Sequence, residues 1–170
     1  GWPALHPQGR LRYYCLASGD IAARLEALAA WSPPARAQTP GERRASASLR
    51  RCRLCYDHLA GRIGVALHEQ LTSRGLVVDR EGQVALADAG LSWLRSIGLE
   101  IDETVGRPCM DWSERRLHLA GPLGSALARG AITAGWLLRQ PKSRALSISP
   151  RGVTALARDF EIDQPLRLEE

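Results

Sequence analysis

One ten-residue stretch occurs twice in this chain, and the recurrence limits the folds open to it. Residues 58–67 read HLAGRIGVAL and residues 118–127 read HLAGPLGSAL, identical at seven of ten positions: His58/His118, Leu59/Leu119, Ala60/Ala120, Gly61/Gly121, Gly64/Gly124, Ala66/Ala126 and Leu67/Leu127. Similarity at a fixed offset marks a duplicated structural unit. It continues downstream, where Gly75-Leu76-Val77-Val78 matches Gly135-Trp136-Leu137-Leu138, Val84-Ala85-Leu86 matches Leu146-Ser147-Ile148, and Gly90 matches Gly152. Each unit reads as helix, short strand, turn, short strand, helix.

In the first unit Asp57 is placed to cap a helix over about 58–74, with Ile63, Leu67 and Leu71 as its apolar stripe and Gly75 as its C′ residue. Strands follow near 76–79 and 83–87, then a helix from near Asp88 carrying Leu91, Trp93 and Leu94. Residues 98–112 connect the units, and Ile97, Leu99, Ile101 and Val105 suggest a short helix there. The second unit repeats the plan: a stripe of Leu119, Leu123 and Leu127, strands near 136–140 and 144–148, and a last helix opened by Ser149-Pro150. Residues 1–16 resemble a third hairpin, since Gly1, Trp2, Pro7 and Arg10 recur at the spacing of Gly135, Trp136, Pro141 and Arg144. A helix over 18–31 follows, with Ile21, Leu25 and Leu28 on one face. The Pro- and Ala-rich run 32–48 has no large aliphatic residue and reads as a flexible linker. The expected domains are therefore 1–31, the linker 32–48, and a C-terminal domain 49–170 holding two units, about 55–105 and 109–162.

Charge and cysteine content narrow the function. The net charge is +5, and every basic side chain except Lys142 is arginine. Arginine suits phosphate and carboxylate contacts, but a solvated Arg-rich surface accounts for the charge equally well. No run of 18 apolar residues predicts a membrane span. Four cysteines at this length make no disulfide scaffold, so a reducing cytoplasm is the expected location. No P-loop, GxSxG, HExxH or dinucleotide fingerprint occurs, and an enzyme is not expected.

Three stretches carry a family resemblance: GRLRYYCLAS at 9–18, CYDHLAGRIGVAL at 55–67 and CMDWSERRLHLAG at 109–121. The first resembles the closing wing of ArsR-type (arsenic-repressor-like) winged helix-turn-helix transcriptional regulators. The other two resemble signature stretches of the long members of that family. The resemblance implies a homodimeric repressor that binds operator DNA, with this chain an N-terminally truncated form lacking the recognition helix. Arg10 and Arg12 of the wing are the expected DNA contacts, to phosphates rather than bases. The implied fold class is α+β, predominantly helical, of winged-helix-like units with small two-stranded β wings, internally duplicated. The Ala-rich helix 18–31 is the expected dimerisation element, and the C-terminal domain the part that senses a ligand or supports assembly.

The sharpest chemical hypothesis is the set Cys55, His58, Cys109 and His118. Cys55 and His58, three apart, would share one side of a helical turn, and Cys109 and His118 belong to the equivalent part of the second unit. If the units pack about a pseudo-twofold axis, the four converge on a zinc or other soft metal ion. Spacing alone favours a structural reading, because buried cysteine is commonly a small hydrophobe and histidine a hydrogen-bonded core residue. Cys52 and Cys55 also form a C-x-x-C pair that suggests thiol sensing, although no βαβ pattern surrounds it. The alternatives to a DNA-binding regulator are thus a metal- or thiol-sensing module and a structural oligomerisation domain without ligand. Arg115 and Arg116 can neutralise Asp111 or Glu114, and Trp93, Trp112 and Trp136 are read as core anchors rather than pocket walls.

Overall fold

The computed structural model describes residues 3–8, 11–29, 31, 39–80 and 82–163. A hairpin of β1 (Pro3–Gln8) and β2 (Leu11–Leu16) leads into helices α1 (Gly19–Ala29) and α2 (Pro40–Arg51). The first unit is β3 (Arg53–Cys55), β4 (His58–Ala60), α3 (Gly61–Ser73), β5 (Val77–Arg80), β6 (Gln83–Leu86) and α4 (Asp88–Ser96). The second is β7 (Val105–Met110), β8 (Leu117–Ala120), α5 (Gly121–Thr133), β9 (Leu137–Arg139), β10 (Leu146–Ile148) and α6 (Pro150–Phe160). The order of elements is the same in both. The architecture is a mixed α/β one of helices and small antiparallel sheets.

The elements form where local chemistry directs them. Gly75 and Gly135 take left-handed φ of 64° and 72° just past α3 and α5, so each helix stops and the chain reverses into its hairpin. Ser149 accepts the Gly152 amide at 3.0 Å and Pro150 fills the first turn of α6. Ser18 accepts the Ile21 amide at the start of α1. The stripes of α3, α5 and α6 bury Ile63, Leu71, Leu123, Leu127, Leu156 and Phe160 in one continuous core with Val77, Leu94 and Trp136. Phe160 sits edge-on to both Trp93 and Trp136, an arrangement aromatic rings prefer over face-to-face stacking.

Four expectations change. The repeated HLAG is a strand running into a helix: residues 58–60 are β4, α3 begins at Gly61, and its N-cap is Ala60, so Asp57 caps nothing. Gly61 and Gly64 permit this junction. Gly61 has φ +76°, and a Cβ on Gly64 would lie 2.5 Å from the Leu59 carbonyl oxygen. Residues 105–110 form a strand, not the end of a connecting helix. Residues 40–51, mostly inside the expected linker, form α2; 32–38 of that run lie outside the described residues. Finally, the first wing is not two-stranded, because β5 and β6 continue into a four-stranded sheet of order β5-β6-β7-β8.

That extension has a counterpart. Wing strand β6 of the first unit pairs with β7 of the second, Val84 opposite Gly106. On the other side the approach to β10 pairs with β3, through the Arg53–Ala145 bridge and amide bonds from Leu54 to Arg144 and from Leu146 to Cys52. Each unit therefore completes the first strand of the other. The helices cross over likewise, α3 packing against β8 and α5 against β4. Residues from Cys52 to Ile162 thus share one core, although sequence similarity divides them into two units. α1 packs against β7, and its Leu25, Leu28 and the following Trp31 stay exposed.

The strand-to-helix junction predicts one stability ordering. Gly64→Ala should lose about 2–3 kcal/mol, since its new methyl meets backbone rather than a movable side chain. Ser149→Ala should lose about 1 kcal/mol, as a lost helix cap does. Urea unfolding of both variants checks the ordering.

Candidate metal centre

Two hairpins meet in a small buried cluster of Cys55, Ala60, Cys109 and Ala120, apart from the main core. In the first, β3 and β4 are joined by only Tyr56 and Asp57, and Tyr56 takes a left-handed φ of 61° to close the loop. Cys55 and His58 are then direct cross-strand partners, with side chains on one face. In the second, β7 and β8 are joined by the longer loop 111–116, yet Cys109 and His118 are again direct partners. The expected helical turn for Cys55 and His58 is replaced by a hairpin, which brings the same two side chains together by a different route.

The two pairs face each other across the unit boundary. The ligand atoms of Cys55, His58, Cys109 and His118 all lie within 4.8 Å of one another, and all four residues are buried. The His58 and His118 rings stack, centroids 5.1 Å apart. The Cys109 thiol is held well below its ordinary value, first by the adjacent Cys55 thiol and, against burial, by the neighbouring His118 and His58 rings. Nε2 of His58 and both ring nitrogens of His118 are buried without a hydrogen-bond partner. Unpartnered buried polar atoms are costly, and one metal ion would satisfy Nε2 of each ring. An S₂N₂ tetrahedron around zinc has edges of about 3.3–3.8 Å, so closure needs shifts of about an ångström.

Each histidine stands beside a carboxylate two residues after a cysteine of the cluster. Asp57 Oδ1 lies 2.9 Å from Nδ1 of His58, and the Ser125 hydroxyl donates to its other oxygen at 2.7 Å. Burial raises the Asp57 carboxyl, but the His58 and Ser125 contacts outweigh it and the net value is lowered. Asp111 Oδ2 lies 3.4 Å from Nδ1 of His118. Carboxylates in this position fix the tautomer and orientation of metal-bound histidines.

Asp111 does much more. Both its oxygens accept from the Arg53 guanidinium at 2.9 Å, and neither side chain has any exposed surface. It also accepts the amides of Gly61, Ser113 and Glu114. Arg53 in turn donates to the Leu49 carbonyl and lies 4.6 Å over the Trp112 ring. Burial raises the Asp111 carboxyl, but Arg53 and these amides hold it far below the usual carboxylate range. The expectation that Arg115 and Arg116 neutralise Asp111 is therefore corrected: Arg53 does, while Arg116 pairs with Glu69. The pair was missed because its members are 58 residues apart. A signal existed, in the recurrence of Asp two residues after Cys55 and Cys109, and in an arginine between Cys52 and Leu54.

Other expected features separate. Cys52 belongs to the main core and Cys55 to the metal-site cluster; burial pushes the Cys52 thiol up to about 12, which makes it unreactive at neutral pH. The C-x-x-C pair is thus not a matched redox pair. Trp136 is a core residue, Trp93 packs on Phe160 and Arg74, and Trp112 lies under Arg53, so the three line no common pocket. Arg10 lies outside the described residues, as does the side chain of Arg12.

Removing one member of the buried pair should be severe. Asp111→Asn should lose about 3–5 kcal/mol by leaving the Arg53 charge uncompensated. Because the folded Asp111 carboxyl is lowered, its contribution is complete above the unfolded value of about 4 and declines as pH falls below it. Denaturation of wild type and variant between pH 7 and pH 3 should show the gap narrowing towards acid.

No protein-family model matches the chain, and no solved structure matches it. It is 32% identical over 165 residues to the uncharacterized HTH-type transcriptional regulator YdfF of Bacillus subtilis (strain 168), a match that covers 94% of this chain and 73% of that protein. Identity at this level over most of both chains joins them in one family: the chain belongs to the HTH-type transcriptional regulators.

Proposed function

We propose that the protein is a metal-responsive, repressor-like DNA-binding regulator of the ArsR type, in which Cys55, His58, Cys109 and His118 hold a zinc or other soft metal ion. The observation that carries the reading is the convergence of four buried donors, with Nε2 of both histidines unpartnered among the described residues. Zinc suits two thiolates and two imidazoles in a closed tetrahedral set. In this reading β1, β2 and α1 are the wing and following helix of a DNA-binding domain within 1–31, and residues 49–170 are the sensing and assembly part. Arg10 and Arg12 contact operator phosphates. The protein acts as a homodimer through α1, a role supported by the exposed Leu25, Leu28 and Trp31.

One observation favours a second reading, an ion held permanently as a structural staple: all four donors are buried. The two readings differ in whether the ion exchanges and whether DNA affinity follows it.

The protein purified under reducing conditions should bind one zinc per chain. Cys109→Ser and His118→Ala should each weaken binding by at least about 100-fold. Affinity for duplexes selected from a random-sequence pool should differ about tenfold or more between zinc-loaded and chelator-treated protein. No zinc bound by wild type would refute the metal site; zinc bound with unchanged DNA affinity would leave only the staple.

A further inference from the structure

The two halves of the centre are alike in ligands and unlike in surroundings. Asp111, beside His118, has no exposed surface and is engaged by Arg53 and three backbone amides. Asp57, beside His58, has half its side chain in solvent (52%) and, among the described residues, two side-chain partners, His58 and Ser125. A cleft of about 430 Å³ opens on the Asp57 side. Its walls include Cys55, Asp57, His58, Ser125 and Arg107, while Cys109, His118 and Asp111 take no part in it. Cys55 and His58 therefore border a cleft that leads to solvent beside a half-exposed carboxylate, whereas the carboxylate beside His118 is fully buried and held by Arg53.

We propose that the ion enters and leaves through this cleft, and that Asp57 is the positioning residue that sets the rate and affinity of exchange. The inference rests on the metal site proposed above. Held by Asp57 at Nδ1, His58 presents its bare Nε2 to the two sulfurs and to His118. The Ser125 hydroxyl keeps the carboxylate in that orientation. A half-exposed carboxylate can swing into water and let the ring turn, which opens one coordination position; the Asp111 side has no such freedom. The centre then exchanges its ion without global unfolding, as a sensor requires and a staple does not.

The test is transfer of Zn(II) from the full 170-residue chain to a chromogenic chelator, with Co(II) spectra to read coordination. For wild type the transfer rate should rise with chelator concentration, because the chelator attacks through an open edge. Asp57→Asn should bind zinc about 10–100-fold more weakly and release it faster, while its Co(II) spectrum stays that of a tetrahedral S₂N₂ site. Ser125→Ala should shift both quantities the same way by less. Wild-type affinity and release in Asp57→Asn, or a transfer rate independent of chelator and equal to the unfolding rate, would overturn the proposal. If wild type takes up neither Zn(II) nor Co(II), the metal site itself fails; if it takes them up and Asp57→Asn behaves as wild type, only this inference fails.

Discussion

The buried bond between Arg53 and Asp111 is the contact on which the rest of the arrangement depends. Arg53 begins β3 and Asp111 opens the loop after β7, so the bond joins the first hairpin of one unit to the first hairpin of the other. The Gly61 amide at the head of α3 donates to the same carboxylate, which ties the helix of the first unit into the joint. Burying two charges carries a large desolvation cost, and a hydrophobic pair would fill the space more cheaply. What the ion pair supplies is register. One guanidinium nitrogen reaches both carboxylate oxygens while the other holds the Leu49 carbonyl and the Ser113 hydroxyl, so the two hairpins are fixed together where Cys55 and His58 meet Cys109 and His118.

The reciprocal pairing of strands explains why the units do not stand alone. β3 needs the stretch before β10, and β7 needs β6. α3 covers β8 and α5 covers β4. A single unit would expose an unpaired strand edge and half an apolar core. The ligand set obeys the same logic, since each unit contributes one cysteine and one histidine. Any ion bound there therefore joins the units a second time, beside the ion pair.

Much of this was legible beforehand. The repeat HLAGxxGxAL, the wing strands around Gly82 and Lys142, and the helix opened by Ser149-Pro150 rest on local signals: glycine where φ is positive, serine before proline, apolar spacing. The four candidate ligands were also legible, because Cys and His recur at matching places in both copies. Their geometry was not. Cys55 and His58 are three apart, a spacing that serves a helical turn or a two-residue hairpin, and only pairing with the rest of the core decides between them. Residues 40–48 read as linker because alanine, serine and arginine carry little apolar periodicity, yet they lead into the Cys52–Leu54 core and are helical there.

The amino-acid sequence by itself determined the repeated helix, strand, strand, helix part of each unit, the residues able to bind a soft metal, and the absence of a P-loop, GxSxG, HExxH or dinucleotide fingerprint. These depend on side-chain chemistry and on spacings of a few residues. Tertiary structure alone decided that HLAG is a strand entering a helix, that Arg53 neutralises Asp111 across 58 positions, and that Asp57 stands half exposed beside a cleft while Asp111 is buried. Those are properties of which surfaces lose water to which others. Two copies of a similar segment can have different solvent exposure once they are packed against each other, and local sequence carries no record of that difference.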